Sequence, residues 1–183
     1  MYETSEVYHP KEDSFLMSSI LKKQLPRLLE KKPNLKFLEI GAGSGIHLET
    51  VFNIGIKKEN IFSCDINPKA VEHCNLLGFN CVQSDLFKKI SGKFDVIIFN
   101  PPYLPEDRFD KEKDTTGGKK GNEIILRFLK QAKNHLNEKG KIFLITSSLA
   151  EDINFLEQGY FSKQVGCEKL FFERLCIWEL DSI

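Results

Sequence analysis

Phe37-Leu38-Glu39-Ile40-Gly41-Ala42-Gly43-Ser44-Gly45-Ile46 is the stretch on which the fold turns. An apolar run of strand length breaks into three alternate glycines, and a helical pattern takes over from Ile46. That order is the strand-turn-helix opening of a parallel α/β sheet. Glycines at these spacings let the chain turn tightly and bring backbone against a ligand with no Cβ between them. The spacing is G-x-G-x-G, whereas dinucleotide sites more often show G-x-G-x-x-G with a phosphate on the helix N-terminus. With Glu39 directly before the glycines, the loop suits a ligand carrying a cationic amino-acid moiety better than a pyrophosphate.

The same alternation continues on both sides. Strand patterns fall at 36–40, 60–65, 80–82, 94–99 and 141–146, with helical patterns at 46–52, 68–77 and 123–136, the last stopped by 137–140. Upstream, Phe15, Leu16, Ile20, Leu21, Leu25 and Leu28 recur at helical spacing over 13–29, with Asp13 or Ser14 as cap and Pro26 expected to kink or interrupt the helix. Downstream, 148–158 reads as a further helix, and 162–170 with 173–180 as a hairpin. The expectation is one α/β domain over 1–183. Residues 1–33 form its helical lead-in and 34–183 a Rossmann-like core, a mixed sheet with helices on both faces. The charged segment 106–121 reads as a long functional loop.

Composition narrows the class. At 41% hydrophobic with 15 Phe the chain buries a core, and no apolar run approaches the roughly 18 residues of a membrane span. Glu3 and Glu6 break the basic-then-apolar order of a secretory signal, so the expected location is the cytoplasm, without membrane attachment. The five cysteines include no CxxC pair and no histidine at zinc-finger spacing, which argues against a metal. Cys64 and Cys176 lie in apolar runs and read as small core residues of a reducing compartment. A formal net charge of zero disfavours a protein that grips long stretches of nucleic acid.

The candidate site sits on strand ends. Asp65 closes the second strand about 20 residues beyond the glycines, where an acid accepts from ribose hydroxyls. Asp85 follows the third strand, placed for an adenine amino group while Leu86 packs on the ring. With Glu39, these acids fit an adenosine-plus-amino-acid ligand. The fourth strand delivers Asn100-Pro101-Pro102-Tyr103 to the sheet's carboxyl edge, and its prolines fix φ and remove two backbone donors. An amide nitrogen is a poor nucleophile because its lone pair is delocalised. If the Asn100 side-chain oxygen and the Pro101 carbonyl each accept one N–H, that lone pair turns outward, and Tyr103 can stack on the flat acceptor. Such a site works by alignment and carbonyl dipoles. His9, His47, His73 and His135 form no catalytic pair in the sequence and read as structural or solvated.

Taken together, Val7-Tyr8-His9-Pro10-Lys11-Glu12-Asp13-Ser14-Phe15, the glycine loop, Asp65-Ile66-Asn67-Pro68, Ser84-Asp85-Leu86 and Asn100-Pro101-Pro102-Tyr103 resemble the HemK family. Gly117-Gly118-Lys119-Lys120-Gly121 also resembles the family's loop after the motif. The resemblance implies a class I methyltransferase fold with seven strands, the last antiparallel, and S-adenosylmethionine as donor, leaving S-adenosylhomocysteine as product. The implied reaction is N5-methylation of the glutamine in the Gly-Gly-Gln tripeptide of translation release factors. It suggests that Ser14, Glu39, Gly41, Asp65, Asp85 and Leu86 touch the cofactor. With Gly43, Gly45, Ile66 and Asn100 they make up the expected cofactor set, and Asn100, Pro101, Pro102 and Tyr103 hold the acceptor. The opening resembles the short archaeal and eukaryotic branch, which lacks the bacterial helical recognition domain and works with a small zinc-binding activator pairing along a sheet edge, here near 80–82.

Adenine N6 and guanine N2 are also planar, conjugated nitrogens, so a nucleic-acid methyltransferase is the alternative, with protein lysine a further acceptor. Against nucleic acid, Lys111, Lys113, Lys119 and Lys120 are interleaved with Glu112 and Asp114. A non-catalytic cofactor-binding subunit is a third reading, which loss of Asp65 or Asn100 would favour; both are present.

Overall fold

A computed structural model describes residues 7–105 and 116–183. The elements run α1 (Glu12–Lys31), β1 (Phe37–Ile40), α2 (Ile46–Ile54), β2 (Ile61–Asp65), α3 (Pro68–Leu76), β3 (Asn80–Gln83), β4 (Phe94–Phe99), β5 (Leu104–Pro105), β6 (Thr116–Gly118), α4 (Glu123–Ala132), β7 (Leu136–Ser147), β8 (Tyr160–Lys169) and β9 (Arg174–Ser182). The main sheet has seven strands in the order β3-β2-β1-β4-β7-β9-β8. The first five are parallel, and β9 runs antiparallel between β7 and β8. Strand order reverses between β1 and β4, and α/β sheets bind ligands at the carboxyl end of that switch.

Both faces are covered, which is why β4 is buried at all six residues and is apolar at every one except Asp95. On one face Phe37, Val96, Ile98 and Phe143 pack with Met17, Leu21 and Leu25 of α1 and Leu48 and Val51 of α2. On the other, Leu38, Ile97, Phe99 and Leu144 pack with Ile125, Phe128 and Leu129 of α4.

Four expectations change. The first helix passes through Pro26 without a break, because Lys22, whose carbonyl loses its partner there, is exposed to water while Met17, Leu21 and Leu25 anchor the opposite side. The helix at 123–136 ends at Ala132, and 137–140 is a bulged start of β7, with Lys139 at φ 60°, instead of a helix stop. The helix at 148–158 does not form. Its backbone bonds go elsewhere, Ser148 N–H to the Arg174 carbonyl (2.9 Å) and Glu151 N–H to the Lys120 carbonyl (3.0 Å). Finally, Cys176 is not a core thiol but is disulfide-bonded to Cys167 across β8 and β9. Cys64 is fully buried as expected, and burial pushes its thiol up to about 12. Of the expected loop at 106–121, residues 106–115 lie outside the described residues.

Asp95 holds the entry to the sheet. Its carboxylate accepts from Lys32 Nζ (2.6 Å), Lys36 N–H (2.9 Å) and Asn137 Nδ2 (2.6 Å), joining α1's exit to β1 and β7. Burial alone would raise its pKa, but these donors overcome that and hold it below the ordinary value. An Asp95→Ala variant, which removes the shared acceptor of three donors that water can partly satisfy, is expected to lose about 1–2 kcal/mol in urea unfolding. A depressed carboxylate stabilises above its unfolded pKa, so the gap to wild type is full at neutral pH and closes on acidification below about pH 4. A gap independent of pH would refute the assignment.

Candidate active site

The carboxyl ends of β1, β2, β3 and β4 face a cavity of about 370 Å³ that α1 closes from one side. Ser14, Glu39, Gly41, Gly43, Asp65, Ile66, Asp85, Leu86, Asn100, Pro101, Pro102 and Tyr103 all line it. Gly45, expected in the cofactor set, does not. It begins α2 in a left-handed conformation (φ 77°), and a Cβ there would meet Leu77 at 3.3 Å and Cys74 at 3.4 Å. It serves the packing of α2 on α3.

At the β1 end, Gly41 and Gly43 also take positive φ, 72° and 50°. The loop is held to β2, with Gly41 N–H on the Cys64 carbonyl (2.8 Å) and Gly43 N–H on Asp65 Oδ2 (2.8 Å). Asp65 Oδ1 accepts from Asn67 N–H (2.8 Å), and Asn67, not Asp65, caps α3. Ile66 lies beside it with 68% of its surface exposed, an apolar wall of the cavity. Leu86, at φ 50°, is a left-handed residue without the freedom of glycine, the kind of strain that clusters at binding sites. Asp85 does not face the cavity unengaged: both its oxygens bond Arg127 Nη2 (3.0 and 2.9 Å), and Lys88 adds an ion pair (3.1 Å). An adenine amino group would share that carboxylate with α4.

Glu39 is 1% exposed and bonds His47 Nδ1 through Oε1 (2.6 Å). Burial raises the Glu39 pKa further than His47 pulls it down; burial disfavours the His47 cation, yet Glu39 overrides that and raises His47. The two therefore keep a shared proton. Sequence reading missed the pair because residues eight apart on a strand and a helix carry no spacing signal.

At the β4 end, Asn100 Nδ2 donates to Asp13 Oδ2 (3.0 Å). Asp13 also accepts from Tyr8 (3.0 Å) and, at longer range, Tyr103 (3.4 Å). Burial first, and Asp13 second, drive both phenols far above their ordinary pKa, so they stay donors. Neither Asp13 nor Ser14 caps the helix as expected: Lys11 holds that position, and both sit inside the first turn of α1, with Asp13, 5% exposed, orienting the residue after β4.

Among the described residues, two buried side-chain polar atoms have no hydrogen-bond partner, Glu39 Oε2 and Asn100 Oδ1. Native structures leave few such atoms, and each asks for an explanation. Both belong to residues lining this one cavity. No cluster of three or more described His, Cys, Asp or Glu residues is arranged for a metal, and no described helix is long and apolar enough to cross a membrane.

Comparison with known proteins agrees with this architecture. The family model for the methyltransferase small domain matches residues 17–172. A Methanocaldococcus jannaschii protein assigned as a protein N5-glutamine methyltransferase is 38% identical over 96% of this chain and 93% of its own. The Mus musculus methyltransferase HEMK2 is 32% identical over 77% of this chain and 72% of its own. Among solved structures, the E. cuniculi Mtq2–Trm112 complex, responsible for methylation of the eRF1 translation termination factor, superposes with a TM-score of 0.71. That match is 24% identical and covers 96% of this chain and 98% of the other.

Proposed function

Because the chain belongs to the methyltransferase small-domain family, and within it to the HemK-type protein glutamine methyltransferases, we propose that it methylates the Gly-Gly-Gln glutamine of a translation release factor from S-adenosylmethionine. The observation that carries this reading is Asn100 Oδ1, a buried acceptor without a partner whose amide is turned by Asp13.

The cavity's residues fit S-adenosylmethionine. Glu39 Oε2 offers a buried acceptor for its ammonium, Gly41 and Gly43 clear space for the chain, Asp65 takes the ribose, and Ile66 and Leu86 bracket the adenine. When bound, it supplies a methyl group activated by the sulfonium charge. Asn100 Oδ1 and the Pro101 carbonyl accept the two amide hydrogens, and Tyr103 supports the plane of the acceptor. Dipoles fixed before reaction stabilise charge growing on nitrogen. No side chain acts as nucleophile; the methyl leaves the sulfonium for the amide nitrogen, and one of the two amide protons is then lost to water, since His47, bound at both ring nitrogens, is not a base for the acceptor.

Two features suit a protein acceptor. Phe171 and Phe172, 92% and 85% exposed, form the hairpin turn between Leu170 and Glu173, which both line the cavity. We expect Phe171→Ser with Phe172→Ser to raise KM for the release factor about tenfold, roughly 1.4 kcal/mol, leaving KM for S-adenosylmethionine unchanged. An unchanged factor KM would remove the hairpin from substrate contact. Separately, β3 is a sheet edge with exposed Leu76 beside it, the place for a small zinc-binding activator of the Trm112 kind to pair.

The direct test supplies labelled S-adenosylmethionine with a Gly-Gly-Gln release factor, RNA or DNA. Label on the factor's glutamine supports the reading, label in nucleic acid alone overturns it, and activity only after adding the activator shows that the partner is required.

A further inference from the structure

The two partnerless atoms are the ends of one hydrogen-bonded chain. From Glu39 Oε2 it passes through the carboxylate to Oε1, to His47 Nδ1 (2.6 Å), and from His47 Nε2 to the Ser14 carbonyl (3.1 Å). It steps along the backbone of α1's first turn, where Ser14 N–H donates to Asp13 Oδ1 (2.6 Å), and crosses from Asp13 Oδ2 to Asn100 Nδ2 (3.0 Å). Its far end is Asn100 Oδ1. Glu39, His47, Ser14 and Asp13 are each at most 5% exposed, so water has little access to compete along this route.

The proton positions follow from chemistry. A backbone carbonyl only accepts, so His47 Nε2 carries a hydrogen. Nitrogen and oxygen at 2.6 Å need a second proton between Nδ1 and Glu39 Oε1. Each bond fixes the next group's orientation: Glu39 cannot swing without turning the imidazole, and the imidazole pulls on the turn that bears Asp13.

We infer that His47 is a positioning residue coupling the two halves of the site, so that engagement of Glu39 by the cofactor's ammonium sets the orientation of Asn100 toward its acceptor. This rests on the cofactor reading above. It needs no bistable domain movement, only that the buried chain transmits a small displacement, and bonds in a low-dielectric interior reinforce one another. Ser14 thus acts through its backbone carbonyl and N–H.

The test is a nuclear magnetic resonance titration of the full chain, following the Asn100 side-chain amide protons, assigned by their loss in Asn100→Ala. Two probes are compared: S-adenosylhomocysteine, which has the ammonium, and 5′-methylthioadenosine, which keeps the adenosine and thioether and lacks it. In wild type the first should shift the Asn100 signals and the second leave them near the apo position. In His47→Val both should leave them there, with S-adenosylhomocysteine bound about tenfold more weakly and methylthioadenosine unchanged. His47→Asn, whose amide reaches Glu39 but not Ser14, should recover much of the affinity and none of the shift. Equal shifts from both probes in wild type, or a full shift retained in His47→Val, would overturn the coupling. A His47→Val variant with a lower Tm and unaltered ligand responses would make the residue merely structural. If neither probe binds wild type, the cofactor reading itself fails, independently of the acceptor's identity.

Discussion

Replacing Asn100 with alanine should lower single-turnover methyl transfer by about 100- to 1000-fold, roughly 3–4 kcal/mol, while S-adenosylhomocysteine binds within a few-fold of wild type. The split follows from where the atoms are. Asn100 lines the cavity and carries one buried acceptor without a partner, and the groups proposed to hold the cofactor, Glu39, Asp65 and the glycine loop, stand on or just after other strands. Asn100→Asp is the sharper variant. It keeps the oxygen but loses the amide that donates to Asp13 at 3.0 Å, placing two carboxyl groups face to face. One of them must take up a proton or turn away, so aspartate should fare no better than alanine. An Asn100→Ala rate within tenfold of wild type, or strong rescue by aspartate, would detach Asn100 from the chemistry.

How much of this was legible in the sequence depended on where each residue's partners lie. β1, β2 and β4 were readable because strands buried on both faces demand apolar runs, and β4 matched residue for residue. The alternate glycines before Ile46 were readable because the loop needs positive φ at 41, 43 and 45. Even so, local sequence could not separate Gly41 and Gly43, which face the cavity, from Gly45, which faces α3. The helix expected at 148–158 failed because its backbone is claimed by Lys120 and Arg174, distant in sequence. Cys176 failed similarly: its apolar flanks said core, and only the β8–β9 register brings Cys167 opposite. Glu39 and Asn100 announced themselves by position on strand ends, whereas the residues that orient them did not. His47 and Asp13 stand in helices with ordinary alternative explanations, a solvated histidine and an N-terminal cap.

Asp13 therefore decides how Asn100 is oriented. Its carboxylate can only accept, so it fixes the NH2 of Asn100 on itself and leaves Oδ1 as the end without a partner, in a residue that lines the cavity. Asp13→Asn keeps size and shape but can also donate, and the amide of Asn100 is then free to flip and point its NH2 at the acceptor. Two N–H groups would face each other where one should accept. We expect kcat to fall about 100-fold in Asp13→Asn, nearly as far as in Asp13→Ala, with KM for S-adenosylmethionine within threefold. Glutamate should not restore the rate, because its extra methylene displaces the oxygens that Tyr8, Tyr103 and Asn100 share. A general loss of negative charge would predict something different, since asparagine and alanine would then weaken cofactor binding first. If Asp13→Asn is nearly fully active, the orientation of Asn100 is set by something other than this hydrogen bond. If instead its KM rises with kcat untouched, Asp13 belongs to the cofactor's electrostatics and not to the acceptor's geometry.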